Sequence, residues 1–125
     1  MRDHPSFIAV IDDDESTCQA LSRLLRVVGH TVRLYFSAES FLDDPEHDCA
    51  SFVVSDIQLR GMSGFDLQRK IHQELPTLPF AFITAHDEAE TRAQAKACGC
   101  VAYLRKPFPG NTLLAVIEKA ESESQ

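Results

Sequence analysis

Four apolar runs of this chain end in side chains able to do chemistry together. Phe52-Val53-Val54-Ser55 runs into Asp56, followed by Gly61 and Gly64. Phe7-Ile8-Ala9-Val10-Ile11 runs into Asp12, Asp13 and Asp14; Phe80-Ala81-Phe82-Ile83 into Thr84; and Val101-Ala102-Tyr103-Leu104 stops two residues short of Lys106. A carboxylate presented at a strand end can act as a nucleophile, and its attack on phosphorus yields an acyl phosphate. Carboxylates crowded at one edge repel, which raises at least one pKa unless a cation compensates. Mg²⁺ suits that need, because it takes hard oxygen ligands and keeps waters. Asp12, Asp13 and Asp56, with the backbone carbonyl of Gln58, are the candidate metal ligands. Lys106 and the Thr84 hydroxyl are the candidate groups for binding a phosphoryl group opposite the metal.

The elements that must position these residues follow from the patterning. Five strand-like runs, residues 7–11, 31–36, 52–55, 80–83 and 101–104, alternate with helix-like segments, which predicts an α/β parallel sheet. Cys18, Leu21, Leu24, Leu25 and Val28 recur at helical spacing behind a capping Asp14 and ahead of Gly29, a residue suited to the left-handed position past a helix end. Asp14 is therefore assigned to capping and not to the chemistry. A short second helix is expected over 37–42, with residues 45–49 as an exposed connection. Phe65, Leu67 and Ile71 line a third helix that Pro76 ends. Ala89, Ala93, Ala97 and Gly99 mark a fourth, loosely held because its residues are small. The fifth runs from Pro109 or Asn111 to Glu121, with Leu113, Leu114 and Ile117 inward. In a doubly wound (βα)5 flavodoxin-like fold with strand order 2-1-3-4-5, ligands bind beyond the carboxyl ends of strands at the switch between strands 1 and 3. The polar strand ends fall on strands 1, 3, 4 and 5, and only strand 2 lacks one.

Composition narrows the function classes. A chain of 125 residues suits one domain, and residues 121–125 are composed like the start of a linker. The net charge of -7 argues against direct binding to nucleic acid or anionic membranes. No apolar run approaches the ~18 residues of a membrane span, and the first residues lack the apolar core of a signal peptide, so a cytoplasmic location is expected. The four cysteines lack paired C-x-x-C spacing and read as packing thiols. Cys98 and Cys100, adjacent but one, are expected to be poorly placed to bridge. The five histidines show no i, i+4 pair that would suggest zinc.

Asp12-Asp13, Asp56 with Gly64 eight residues on, Thr84-Ala85 and Lys106-Pro107-Phe108 together resemble the receiver domain of two-component response regulators, from about Ser6 to Ala120. The resemblance implies that Asp56 accepts phosphate from a sensor histidine kinase. It also implies that Asp12 and Asp13 hold Mg²⁺, for which Mn²⁺ can substitute, and that Thr84, the Ala85 backbone and Lys106 bind the phosphoryl group. It further implies a cis peptide before Pro107, a switch role for Thr84 and Tyr103, self-catalysed phosphorylation and dephosphorylation, and a phosphorylation-dependent homodimer through helix 4, strand 5 and helix 5. Asp56-Ile57-Gln58-Leu59-Arg60-Gly61-Met62-Ser63-Gly64, with Ser37-Ala38-Glu39-Ser40-Phe41-Leu42 before it, resembles the FixJ-like branch, whose members often carry a C-terminal helix-turn-helix that controls transcription. One departure stands out: Leu59-Arg60 occupies the place of the usual Met-Pro, so Arg60 puts a charge beside the site.

Two other functions compete with this one. Asp12-Asp13-Asp14-Glu15-Ser16 resembles the D-x-D start of haloacid-dehalogenase-type phosphatases, with Asp12 as nucleophile and Asp14 as acid; that reading leaves Asp56 idle. The other is a receiver-like binding module that works without phosphate.

Overall fold

The computed structural model describes residues 6–123. Five strands, β1 (Phe7–Ile11), β2 (Val32–Tyr35), β3 (Ala50–Asp56), β4 (Phe80–Thr84) and β5 (Ala102–Arg105), form one parallel sheet in the order β2-β1-β3-β4-β5. Five helices connect and cover them: α1 (Glu15–Val27), α2 (Ala38–Asp43), α3 (Gly64–Glu74), α4 (Ala89–Ala97) and α5 (Gly110–Glu123). A parallel sheet covered on both faces needs apolar side chains on both, which is why β1 and β4 read as unbroken apolar runs. Alternate residues divide between two cores. Ala9, Ile11, Val53, Phe80 and Phe82 meet Phe41 of α2, Leu67 and Ile71 of α3 and Ala95 of α4. Ile8, Val10, Phe52, Val54, Ala81 and Ile83 meet Leu21 and Leu25 of α1 and Leu113 and Ile117 of α5.

Caps define the helix starts that matter for the site. Asp14 accepts from the Ser16 amide at 3.1 Å and from the hydroxyls of Ser16 and Thr17, so the expected cap at α1 is present. Gly29, at φ +97°, ends that helix as expected. Ser37 caps α2 and Ser63 caps α3 through their hydroxyls.

Three local expectations need revision. The 45–49 connection contains a 3-10 turn, His47–Cys49, and Cys49 is buried. In α4 the buried residue is Ala95, whereas Ala89, Ala93 and Ala97 face outward. Its one buried side chain is therefore small, and it is not among the alanines expected to mark the helix. The run 101–104 becomes strand only from Ala102, and Val101 is half exposed. Residues 1–5 and 124–125 lie outside the described residues, so the N-terminal reading and the end of the linker reading fall there. Among the described residues no helix is long and apolar enough to cross a membrane.

The 3-10 turn is tied to α3 by a titratable contact. The His47 ring reaches the Asp44 carbonyl and the Glu74 carboxylate, each at 2.9 Å. Burial draws the His47 pKa down, but those two acceptors outweigh it and hold it above its ordinary value. A histidine raised on folding stabilises fully below its unfolded pKa and loses that contribution as pH rises through the folded value. Thermal melts of the wild type and Glu74→Gln should therefore differ near pH 5.5 and converge near pH 9. Because Glu74 is half exposed, the gap should not exceed about 1 kcal/mol.

Candidate phosphoryl and cation site

Strand order brings the chemistry to one place. β3 lies between β1 and β4, so Asp56 at its end has Asp12 and Asp13 on one side and Thr84 on the other, with β5 delivering Lys106 just beyond. One oxygen each from Asp12, Asp13 and Asp56 can gather within 4.8 Å. Lys106 Nζ donates to Asp12 Oδ2 at 2.7 Å and to Asp56 Oδ2 at 2.9 Å. The other oxygens of these two carboxylates are held by backbone, Asp12 Oδ1 by the Asp14 amide at 2.9 Å and Asp56 Oδ1 by the Gln58 amide at 3.0 Å. Their orientations are thereby fixed from both sides.

One carboxylate is raised, the direction expected from crowding, but burial and not repulsion is the main cause. Asp12 is fully buried, and burial, the largest influence, lifts its pKa above the usual carboxylate range despite the pull of Lys106. The Asp56 charge pushes in the same direction. For Lys106, burial works against the ammonium, but its bonds to Asp12 and Asp56 prevail and hold its pKa above the ordinary value. Three carboxylates facing one ammonium leave an excess of two negative charges when all are ionised. An all-oxygen donor set with that excess fits Mg²⁺.

Backbone geometry sets the loop that follows Asp56. The Gly64 amide donates to the Ile57 carbonyl at 2.9 Å, and a Cβ at Gly64 would lie 2.4 Å from the Asp56 carbonyl oxygen. Only glycine lets α3 begin so close to the end of β3. Gly61, at φ +77°, shapes the loop between them, and Glu39 of α2 reaches across to accept from the Met62 amide at 2.9 Å. Glu39 was not a candidate from sequence; its partner lies 23 positions away, and no local pattern signals such a contact. Arg60 also acts through its backbone, donating N–H to Asp13 Oδ2 at 3.3 Å with its guanidinium Nε 3.8 Å from the same oxygen.

The remaining candidates are arranged around this cluster. Thr84 is fully buried at the end of β4, its carbonyl accepts the Lys106 amide at 2.7 Å, and its hydroxyl exchanges hydrogen bonds with the His86 backbone. Ala85 and His86 follow it in the exposed loop. The Lys106–Pro107 peptide is cis. Tyr103 stands apart from the carboxylates: its hydroxyl donates to Asp87 Oδ1 at 3.1 Å, and Arg92, paired with that same Asp87, lies 6.0 Å from its ring centroid. Asp87 and Arg92 are a second pair that sequence reading missed.

A doubly wound sheet with an acidic cluster and one ammonium at its carboxyl edge is the make-up of a phosphoacceptor signalling domain. Residues 8–118 match the family model described as the response regulator receiver domain. The response regulator protein TmoT of Ectopseudomonas mendocina is 33% identical over 120 residues, covering 96% of this chain and 54% of TmoT. The transcriptional regulatory protein FixJ of Bradyrhizobium diazoefficiens is 32% identical, covering 94% of this chain and 58% of FixJ. The BeF3-activated receiver domain of DrrB, a Thermotoga maritima protein, superposes with a TM-score of 0.86 at 28% identity, covering 95% of this chain and 99% of that one. The chain belongs to the response regulator receiver family and spans about half the length of the curated relatives TmoT and FixJ.

The phosphatase reading is not favoured. Asp14, its required acid, is committed to capping α1, and its bonds to the Ser16 and Thr17 hydroxyls hold its pKa below the usual range, the wrong direction for a proton donor.

Proposed function

We propose that Asp56 accepts a phosphoryl group from a sensor histidine kinase. The observation that carries this reading is the Lys106 ammonium bridging Asp12 and Asp56 at the mouth of the acidic cluster. The carboxylate oxygen of Asp56 attacks phosphorus, and the donor keeps the bonding electrons. Asp12, Asp13, Asp56 and the Gln58 carbonyl would hold Mg²⁺, with Mn²⁺ able to substitute; when bound, the ion supplies charge neutralisation at the phosphoryl oxygens. Lys106 leaves its bond to Asp56 and meets the phosphoryl oxygens, while the Thr84 hydroxyl and Ala85 amide turn from their own loop toward it. These contacts exist only around a phosphoryl group, so they favour one state of the domain, which is what a switch requires.

Readout would run through α4, β5 and α5. α4 buries only Ala95, and its Arg92, together with Asp87, ties it to Tyr103; inward rotation of Tyr103 with Thr84 would release that tie. The domain would thus catalyse its own phosphorylation from small donors and its own dephosphorylation, and assemble as a homodimer when phosphorylated. Residues 1–125 would act as one receiver domain in the cytoplasm, its output a helix-turn-helix controlling transcription, with no DNA contact by this acidic domain.

Intact mass after incubation with acetyl phosphate and Mg²⁺ tests the assignment. The wild type should gain one phosphoryl group, lost on hydroxylamine treatment and absent with EDTA; Asp56→Asn should gain none. A gain that survives in Asp56→Asn would move the acceptor elsewhere. Arg60→Pro, which deletes the amide donated to Asp13, should change the rates of phosphorylation and hydrolysis, and unchanged rates would show the Arg60 contact to be incidental.

A further inference from the structure

Both cysteines at the exit of α4 point at one atom. Cys98 Sγ donates to the Ala95 carbonyl oxygen at 3.0 Å and Cys100 Sγ donates to the same oxygen at 3.3 Å. The two thiols, expected from their spacing to be poorly placed to bridge, thus share one acceptor oxygen. The residue between them is Gly99, at φ +78°, with no atom within 4 Å of where a Cβ would stand, so the turn has room to adjust. Both thiols are partly exposed, whereas Cys18 and Cys49 are buried.

We infer that Cys98 and Cys100 are a dithiol modification site that closes to an intramolecular disulfide by exchange with a low-molecular-weight disulfide. The reagent's access is a groove of about 440 Å³ between α3 and α4, lined by Phe65, Gln68, Arg69, His72, Gln94 and Cys98. Arg69, which also pairs with Asp66, offers a guanidinium to an anionic reagent such as oxidised glutathione. One protein thiolate attacks the external disulfide, forming a mixed disulfide and expelling a thiolate. The second protein thiolate then attacks the mixed disulfide, forming the Cys98–Cys100 bond and expelling the second small thiolate. The two protons lost by the protein end on the two released thiols. Burial, and then Cys98 beside it, push the Cys100 thiol up to about 11, so attack by Cys100 should speed up roughly tenfold per pH unit through neutrality. Closure would remove both donors from Ala95, the one buried residue that seats α4.

The test equilibrates the chain with graded ratios of oxidised to reduced glutathione, followed by denaturing alkylation and trypsin. Cleavage after Lys96 and Arg105 places both cysteines on one fragment, residues 97–105. That fragment should lose two hydrogens and take no alkyl group, while the fragments carrying Cys18 and Cys49 are alkylated. Cys98→Ser and Cys100→Ser should instead accumulate a glutathione adduct on the remaining thiol at ratios where the wild type is closed. A wild type that accumulates open adducts, or stays fully alkylated at the most oxidising ratio, overturns the inference. The readout uses wild-type protein, so failure of a serine variant to fold leaves it decisive. Since phosphorylation is not measured, its result is independent of the assignment of Asp56.

Discussion

Lys106→Met is expected to destabilise the domain by about 3 kcal/mol in EDTA, and Mg²⁺ should recover most of the loss. Removing one partner of a buried charge pair leaves the other uncompensated, at a cost of about 3–5 kcal/mol. Here the lower end applies, because Asp56 keeps slight exposure and Asp12 keeps the Asp14 amide. A divalent ion binding only the folded state restores about 2.7 kcal/mol at a hundred times its dissociation constant, and the variant should bind it more tightly because no ammonium competes for the same oxygens. Urea unfolding of both proteins, with EDTA and with Mg²⁺, measures each part. The pH dependence separates charge from packing. Asp12 has a folded pKa raised above its unfolded value, so its protonated form favours the fold and that stabilisation is lost as pH rises through the folded value. Without Lys106 its pKa moves further up, so the deficit of the variant should narrow as pH falls through the acid range. A deficit that stays constant with pH would mean that Lys106 contributes through its methylenes.

Gly64→Ala should cost about 3 kcal/mol, near the upper end for an overpacked site, and lower the melting temperature by on the order of 10 °C. A Cβ there would lie 2.4 Å from the Asp56 carbonyl oxygen, 3.0 Å from Ile57 Cα and 3.2 Å from the Asp56 carbonyl carbon. All three are backbone atoms, and the Gly64 amide bond to Ile57 prevents α3 from simply backing away. Relief must come from moving the end of β3 that carries Asp56, so phosphorylation by acetyl phosphate should slow as well. Gly61→Ala is the contrasting case. Its Cβ would meet the Glu39 carboxylate at 2.6 Å, a flexible side chain able to swing aside, leaving chiefly the left-handed backbone penalty of about 1–2 kcal/mol. Equal losses in the two variants, read from chemical denaturation, would reject the distinction between backbone and side-chain obstruction.

What could be read from the chain was what local spacing encodes. Joint placement at or just past strand ends nominated Asp12, Asp13, Asp56, Thr84 and Lys106, because a parallel sheet collects its carboxyl ends at one edge; the structure brings the three carboxylates and the ammonium together there, with Thr84 beside them. Asp14 and Gly29 were legible because caps are local chemistry. The contacts that escaped reading are long-range. Glu39 reaching Met62, Tyr35 and Arg33 meeting at Asp44, and Tyr103 held by Asp87 all depend on which elements lie side by side. α4 shows the limit most clearly: its alanines recur without a strong apolar stripe, so periodicity could find the helix but not the face, and Ala95 was not singled out. The convergence of Cys98 and Cys100 escaped for a related reason, since it depends on the left-handed turn at Gly99.

The bond from Lys106 to Asp12 spans 94 positions, and β5, which delivers the lysine, is the last strand of this sheet in chain order. A nascent chain that has emerged only through α4 already carries every carboxylate of the cluster but lacks its ammonium, and it leaves β4 as a bare sheet edge. Contacts of such sequence separation are slow to form. Charge balance at the cluster therefore arrives only with the finished fold: a stalled or truncated product holds Asp12, Asp13 and Asp56 yet has no lysine to bridge them.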